Sequence, residues 1–233
     1  MVLSLYTISG APRGWRVLLA LAFKGLSADV IYLKASEKEH KQPKFTALNP
    51  RATVPVLTSD HGVLRDSIAI LAWLDHAYPE KPLFGHSPEA AAEIWQLTME
   101  CCDYLREANR QLLVPVFAGD GSPPEAGSDA ARQLTAATEL AHAECRYLEG
   151  ILSDGRAYLC GDEPSAADAI AFPEVRLIQR AVETKSNLMA SLGFGHPPDL
   201  YPFVAAWKAR LNEDPRVEAT MPTHWQAPQP VHQ

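Results

Sequence analysis

Cysteine is scarce in this sequence: four residues, at 101, 102, 145 and 160, with no C-x-x-C pair among them. Neighbours such as Cys101 and Cys102 point to different faces of a helix. A disulfide framework and a dithiol redox motif are therefore not expected, and a reducing cytoplasm fits best. The eight histidines are scattered and show no H-E-x-x-H or similar ligand spacing, so no metal site is expected. No run of about 18 apolar residues is present, which argues against a membrane helix. The opening "MVLSLYTISG" has neither a basic segment nor a long apolar one, so no signal peptide is expected. Positive charge is also in deficit. Lys and Arg total 21 against 28 Asp and Glu, a net charge of -7, and a nucleic-acid surface would want a basic face.

What is present is an ordinary globular composition, 47% hydrophobic over 233 residues, enough for one large domain or two small ones. The first 80 residues alternate short strands and helices. "LSLYTI" (3–8) and "ADVIYLKA" (28–35) read as strands, and "VPVLT" (54–58) and "GVLR" (62–65) flank the hairpin signal "SDHG". "GWRVLLALAFKG" (14–25) reads as a buried helix with Gly25 at its C-cap. "DSIAILAWLDHAY" (66–78) reads as a helix capped by Asp66 or Ser67. The order β-α-β-(α)-β-β-α is a thioredoxin-like layout. Residues 81–90, within the proline-rich "PEKPLFGHSPEA", read as a linker. Beyond them strand signals cease. Long amphipathic patterns cover 88–113, 129–152, 165–182 and 200–215, and the last dozen residues read as an extended tail. The fold expected is α/β plus all-α: a thioredoxin-like domain (1–80), a linker (81–90) and an all-helical domain (91–233).

Three short motifs stand out. In "LNPRATVPVL" (48–57), Pro55 at a strand start marks an edge, and a cis peptide there would turn the backbone of Val54 outward to pair with an extended ligand. In "RDSIAIL" (65–71), the same residues make an ordinary helix cap or a carboxylate-binding helix N-terminus, with Asp66 free to meet an ammonium. "SAAD" (165–168) is a capping box with Asp in place of the usual Glu or Gln, and reads as structural.

Taken in order, "NPRATVPVL", "RDSIAI", "GDEPSAADAIAFPEV" and "YPFVAAWKARLNEDPRV" resemble the glutathione S-transferase superfamily over nearly the whole chain. The resemblance implies glutathione as cosubstrate. Pro55 would be the family's cis proline, Val54 would pair with the cysteinyl part, and Asp66 with Ser67 would hold the γ-glutamyl group. His40, in "EHKQPKFTALNP" (39–50), would reach the glycine carboxylate, while a second histidine found in some relatives is replaced by Ala52. The family also implies a homodimer.

The group that would activate the thiol is the weak point. Aligning "GWRVLLAL" with the similar zeta-class "SWRVRIAL" puts that class's serine at Ala11, and its neighbouring serine and cysteine fall on Pro12 and Arg13. Ser9 is the leading substitute and the cation of Arg13 the next. Tyr6 and the free N–H groups of the helix start are further options. The expected activity is transfer of glutathione to a small hydrophobic electrophile held by the helical domain, near Tyr104, Arg106 or Phe117. Two alternatives stay open: a glutathione-dependent isomerase of a dicarbonyl acid, and a non-catalytic carrier or scaffold on the same fold.

Overall fold

In the strand β1 (Ser4–Thr7), Leu5 and Thr7 are buried while Ser4 and Tyr6 are not, the alternation of a pleated strand. The structure is a computed structural model that describes residues 2–225. Helix α1 (Pro12–Lys24) follows, with Pro12 in the first turn, where its missing N–H is no loss. It stops at Gly25, whose φ of 69° is the left-handed conformation glycine adopts without strain. At Gly14 a Cβ would lie 1.7 Å from Thr7 Oγ1, so only glycine lets α1 approach β1 this closely.

Strand β2 (Asp29–Tyr32) runs parallel to β1, and β3 (Val56–Ser59) runs antiparallel on its other side. Strand β4 (Gly62–Arg65) closes a hairpin with β3 through the two-residue turn Asp60–His61, giving the order β2-β1-β3-β4. A single 3-10 turn (Glu39–Lys41) and the short α2 (Pro43–Thr46) lie between β2 and β3. Helix α3 (Ser67–Ala77) packs against α1, and the buried Leu19, Ile70, Leu71 and Leu74 supply much of this core. Burying each such side chain contributes roughly 1.5–3 kcal/mol. This is the thioredoxin-like arrangement.

Residues 81–84, in the stretch whose composition reads as a linker, are held to the first unit. Leu83 and Phe84 are buried, Lys24 Nζ donates to the carbonyl of Lys81 at 2.6 Å, and Asp75 Oδ1 accepts from the Leu83 N–H.

Residues 87–211 form a second, helical unit. Helix α4 (Pro88–Glu100) starts on the Ser87 cap and continues through one wide turn (Cys101–Leu105) into α5 (Arg106–Ala118), five residues beyond the 88–113 pattern. Helix α6 spans Asp129–Leu152 and α7 spans Ala166–Thr184. Short turns α8 (Ser186–Met189) and α9 (Pro197–Leu200) lead to α10 (Pro202–Glu213). The start of α10 is capped by Glu149, which accepts from the N–H groups of Phe203 and Val204 at 2.9 and 2.8 Å. Among the described residues, no helix is long and apolar enough to cross a membrane.

The end of the chain departs from expectation. Pro215 does not simply end a helix: Asp214 caps a further turn, α11 (Pro215–Glu218), that packs on α1. Trp15 Nε1 donates to Thr220 Oγ1 at 2.8 Å, and the Trp15 and Trp225 rings meet edge to face at 5.4 Å. Residues 212–225 therefore belong to the same compact unit as residues 2–86, whereas the sequence pattern assigns them to the helical domain. Thr223–Trp225 form a 3-10 turn rather than extended chain, and the rest of the expected tail lies outside the described residues.

Candidate functional site

Strand register gathers the candidate residues. Val56 pairs with Arg65, so Val54–Pro55, just before β3, stand beside Asp66–Ser67, just after β4. Tyr6 pairs with the same Val56, so β1 delivers Ser9 to that same end of the sheet. Strand β2 is parallel to β1 and exits there too, with the Leu33 N–H donating to the Thr7 carbonyl at 2.7 Å on the way to His40.

The Val54–Pro55 peptide is cis, and Pro55 is buried. The loop before it is braced by the buried Asn49, whose Nδ2 donates to the Thr53 carbonyl at 2.7 Å and to Thr53 Oγ1 at 3.1 Å. Its Oδ1 accepts from the Arg51 N–H, and Arg65 Nε ties the end of β4 to the Leu48 carbonyl at 2.7 Å. Ala52 sits in this loop at φ 53°. A non-glycine residue there is held by its surroundings rather than by preference. Asn49 was missed by the sequence reading. An asparagine four residues before a threonine carries no distinctive signal.

Asp66 is the N-cap of α3, and its Oδ1 accepts from the Ile68 N–H at 2.9 Å. Its backbone is at φ 75° and ψ 131°, far from what an L residue prefers, and its side chain is exposed. Ser67 is buried at the first position of the helix, where the backbone N–H has no partner within the helix. This corner offers a carboxylate beside an anion-attracting helix start. His40 is half-buried on its 3-10 turn, and its Nδ1 is buried without a hydrogen-bond partner among the described residues.

At the start of α1 the N-cap is Ala11, which forms no side-chain bond to the helix. Arg13 is exposed in the first turn. Ser9 Oγ lies 3.3 Å from Nδ1 of His224, a contact that no local pattern could have revealed. Tyr6 alternates with the Thr7 that faces Gly14, so it points away from α1 and toward Phe45, 6.3 Å between ring centroids. The cysteines stand elsewhere. All four are outside disulfides and lie in the helical unit, and burial pushes the thiols of Cys145 and Cys160 up to about 12. Neither of these two is poised as a thiolate.

Within the helical unit, Tyr104 and Phe117 are exposed, while the Arg106 side chain is 27% exposed and is paired to α7. Its Nη1 donates to the buried Glu174 at 2.9 Å, and Asn109 Nδ2 donates to the same residue's carbonyl at 3.0 Å. Removing Arg106 would leave a buried carboxylate short of its countercharge. A cavity of about 600 Å³ opens instead between α5 and α6, lined by Val114, Pro115, Leu134 and Ala137 with Arg110 and Gln133. Among the described residues, no group of three or more His, Cys, Asp or Glu side chains is placed to hold a metal ion.

Comparison with known proteins agrees with this architecture. The glutathione S-transferase N-terminal domain family matches residues 11–77, and the C-terminal domain family matches residues 114–215. Glutathione S-transferase 1 of Dianthus caryophyllus is 31% identical over 175 residues, which is 74% of this chain and 76% of that protein. Maleylpyruvate isomerase of Ralstonia sp is 28% identical over 190 residues, 76% of this chain and 83% of its own. The crystal structure of a glutathione S-transferase from the Antarctic clam Laternula elliptica superposes with a TM-score of 0.81 at 27% identity, covering 97% of this chain and 94% of that one. With both domain families matched in order and a relative that similar over three quarters of its length, the chain belongs to the glutathione S-transferase superfamily.

Proposed function

We propose that this protein is a glutathione transferase that adds the glutathione thiolate to a small apolar electrophile. The observation that carries the reading is the register that sets Val54–Pro55, Asp66–Ser67 and Ser9 at one end of the sheet. Glutathione lies across that end. The backbone of Val54 pairs with its cysteinyl part as an added strand, Asp66 takes the γ-glutamyl ammonium, and Ser67 with the α3 start takes the γ-glutamyl carboxylate. His40 meets the glycine carboxylate. In this pose the sulfur faces the turn carrying Ser9 and Arg13.

The chemistry asked of that turn is modest. A free thiol with a pKa near 8.5 is only a few per cent ionised at neutral pH. A hydrogen bond from the Ser9 hydroxyl to the thiolate, worth about 1.5–3 kcal/mol, lowers that pKa by about one to two units. The Arg13 charge acts in the same direction. Holding the thiolate against the electrophile supplies the rest. We assign the protein to the cytoplasm as a homodimer on the same reading.

Likeness to a maleylpyruvate isomerase over three quarters of the chain favours one second reading, a glutathione-dependent isomerase of a dicarbonyl acid. The residues at Ala11, Pro12 and Arg13 count against it, because they lack the hydroxyl and thiol of the zeta-class pattern. Calorimetric titration with glutathione tests the common part. Binding that Asp66→Ala weakens supports the site, and no binding at millimolar glutathione refutes both enzyme readings in favour of a carrier or scaffold. Assay with an activated aryl halide against a cis-dicarbonyl acid then separates the two enzymes.

A further inference from the structure

The turn at residues 9–11 is covered by the end of the described chain. His224 places Nδ1 3.3 Å from Ser9 Oγ, and its imidazole lies over Gly10. A Cβ at Gly10 would stand 3.2 Å from His224 Cε1 and 3.3 Å from Trp225 Nε1, and Gly10 itself has φ 79°. The glycine therefore serves both the turn and the seat of the imidazole. The seat is anchored at two further points: Trp225 against Trp15, and Thr220, which accepts from Trp15 Nε1 and donates to the Val217 carbonyl at 2.7 Å.

A serine hydroxyl has a single proton to give. If the imidazole presents a bare Nδ1, Ser9 donates to it, and an approaching thiolate meets only oxygen lone pairs. If Nδ1 carries hydrogen, the imidazole donates to Ser9 Oγ, and the hydroxyl proton is left to point at sulfur. The two tautomers thus give opposite outcomes for the same pair of residues.

We propose that His224 is a positioning residue for the Ser9 hydroxyl: its Nδ1–H donates to Ser9 Oγ, directing the Ser9 O–H toward the glutathione sulfur. The inference rests on the reading of Ser9 as the thiol-facing group. In the ionisation step the thiol proton leaves to solvent water, the Ser9 O–H···S hydrogen bond forms, and His224 keeps its proton throughout. The electrophile is not involved, so the step is visible in the binary complex with glutathione.

The test is the ultraviolet absorbance of the bound thiolate, titrated against pH in the full chain for the native protein, Ser9→Ala, His224→Phe, His224→Asn and the Ser9→Ala/His224→Phe double variant. The expected result is a bound-thiol pKa raised by about one unit in Ser9→Ala and in His224→Phe, near tenfold less thiolate at neutral pH. The double variant should rise no further, and His224→Asn, which keeps a donor near the Nδ1 position, should recover most of the shift. A raised value in Ser9→Ala with no change in His224→Phe overturns the role of His224 and leaves that of Ser9 intact. No change in either overturns both, as does a native protein that binds no glutathione. Nitrogen-15 spectra of the unmodified protein give an answer that does not depend on His224→Phe folding: a protonated Nδ1 on His224 is expected, and a bare Nδ1 overturns the proposal.

Discussion

Two helix starts in this molecule use the same pair of residue types to opposite ends. At α7, Asp168 is fully buried and both its oxygens are engaged. Oδ2 accepts from the Ser165 N–H and hydroxyl, each at 2.9 Å, and Oδ1 accepts from the Leu159 N–H at 3.0 Å and Trp207 Nε1 at 2.8 Å. At α3, Asp66 is exposed, strained at φ 75°, and bonded to the Ile68 N–H through Oδ1. The first arrangement converts a carboxylate into a tie between a helix, a loop and the buried indole of α10. The second keeps a carboxylate at the surface in a conformation that its own preferences do not favour. Strain held at an open, incompletely used acid is what a binding corner requires, while a buried acid with four donors has nothing left to offer a ligand.

The contrast can be broken experimentally. Asp168→Ala strands four donors in the interior, so a loss of about 3–5 kcal/mol in chemical denaturation, or failure to fold, is expected. A stable Asp168→Ala protein would mean that the buried network is redundant. Asp66→Gly is next: glutathione affinity by calorimetry should drop at least tenfold, because the ammonium partner is gone. Ser165→Ala should cost about 1 kcal/mol, the ordinary value of a lost cap, with glutathione affinity unchanged. The smallest effect expected is the stability change in Asp66→Gly, within about 0.5 kcal/mol, since glycine caps nearly as well and relaxes the positive φ. A large stability loss there with intact binding would reverse the roles assigned to the two corners.

Much of the first unit was legible from local pattern. The alternation of "SLYT", the glycine ending α1, the hairpin around Asp60–His61 and the helix from Ser67 are all set by residues within a few positions of one another. The capping box at Ser165 and the limits of α6 are local in the same sense. What escaped depends on distance along the chain. His224 reaches Ser9 across the whole sequence, and Glu174 claims Arg106 from another helix. No periodicity reports such pairings. The wide turn at Cys101–Leu105 was also unreadable, because the apolar spacing on either side continues as though the helix were uninterrupted.

The seating of Trp225 on Trp15 also has a consequence in time. The first unit draws on residues 2–86 and then on 212–225, with residues 87–211 threaded between. At a synthesis rate of about 5–20 residues per second, the sheet leaves the ribosome roughly 6–25 s before its last partners are made. For that interval Trp15 has neither its edge-on indole nor the Thr220 hydroxyl. The nascent protein thus carries an unfinished hydrophobic surface on α1 until residues 212–225 emerge to close it.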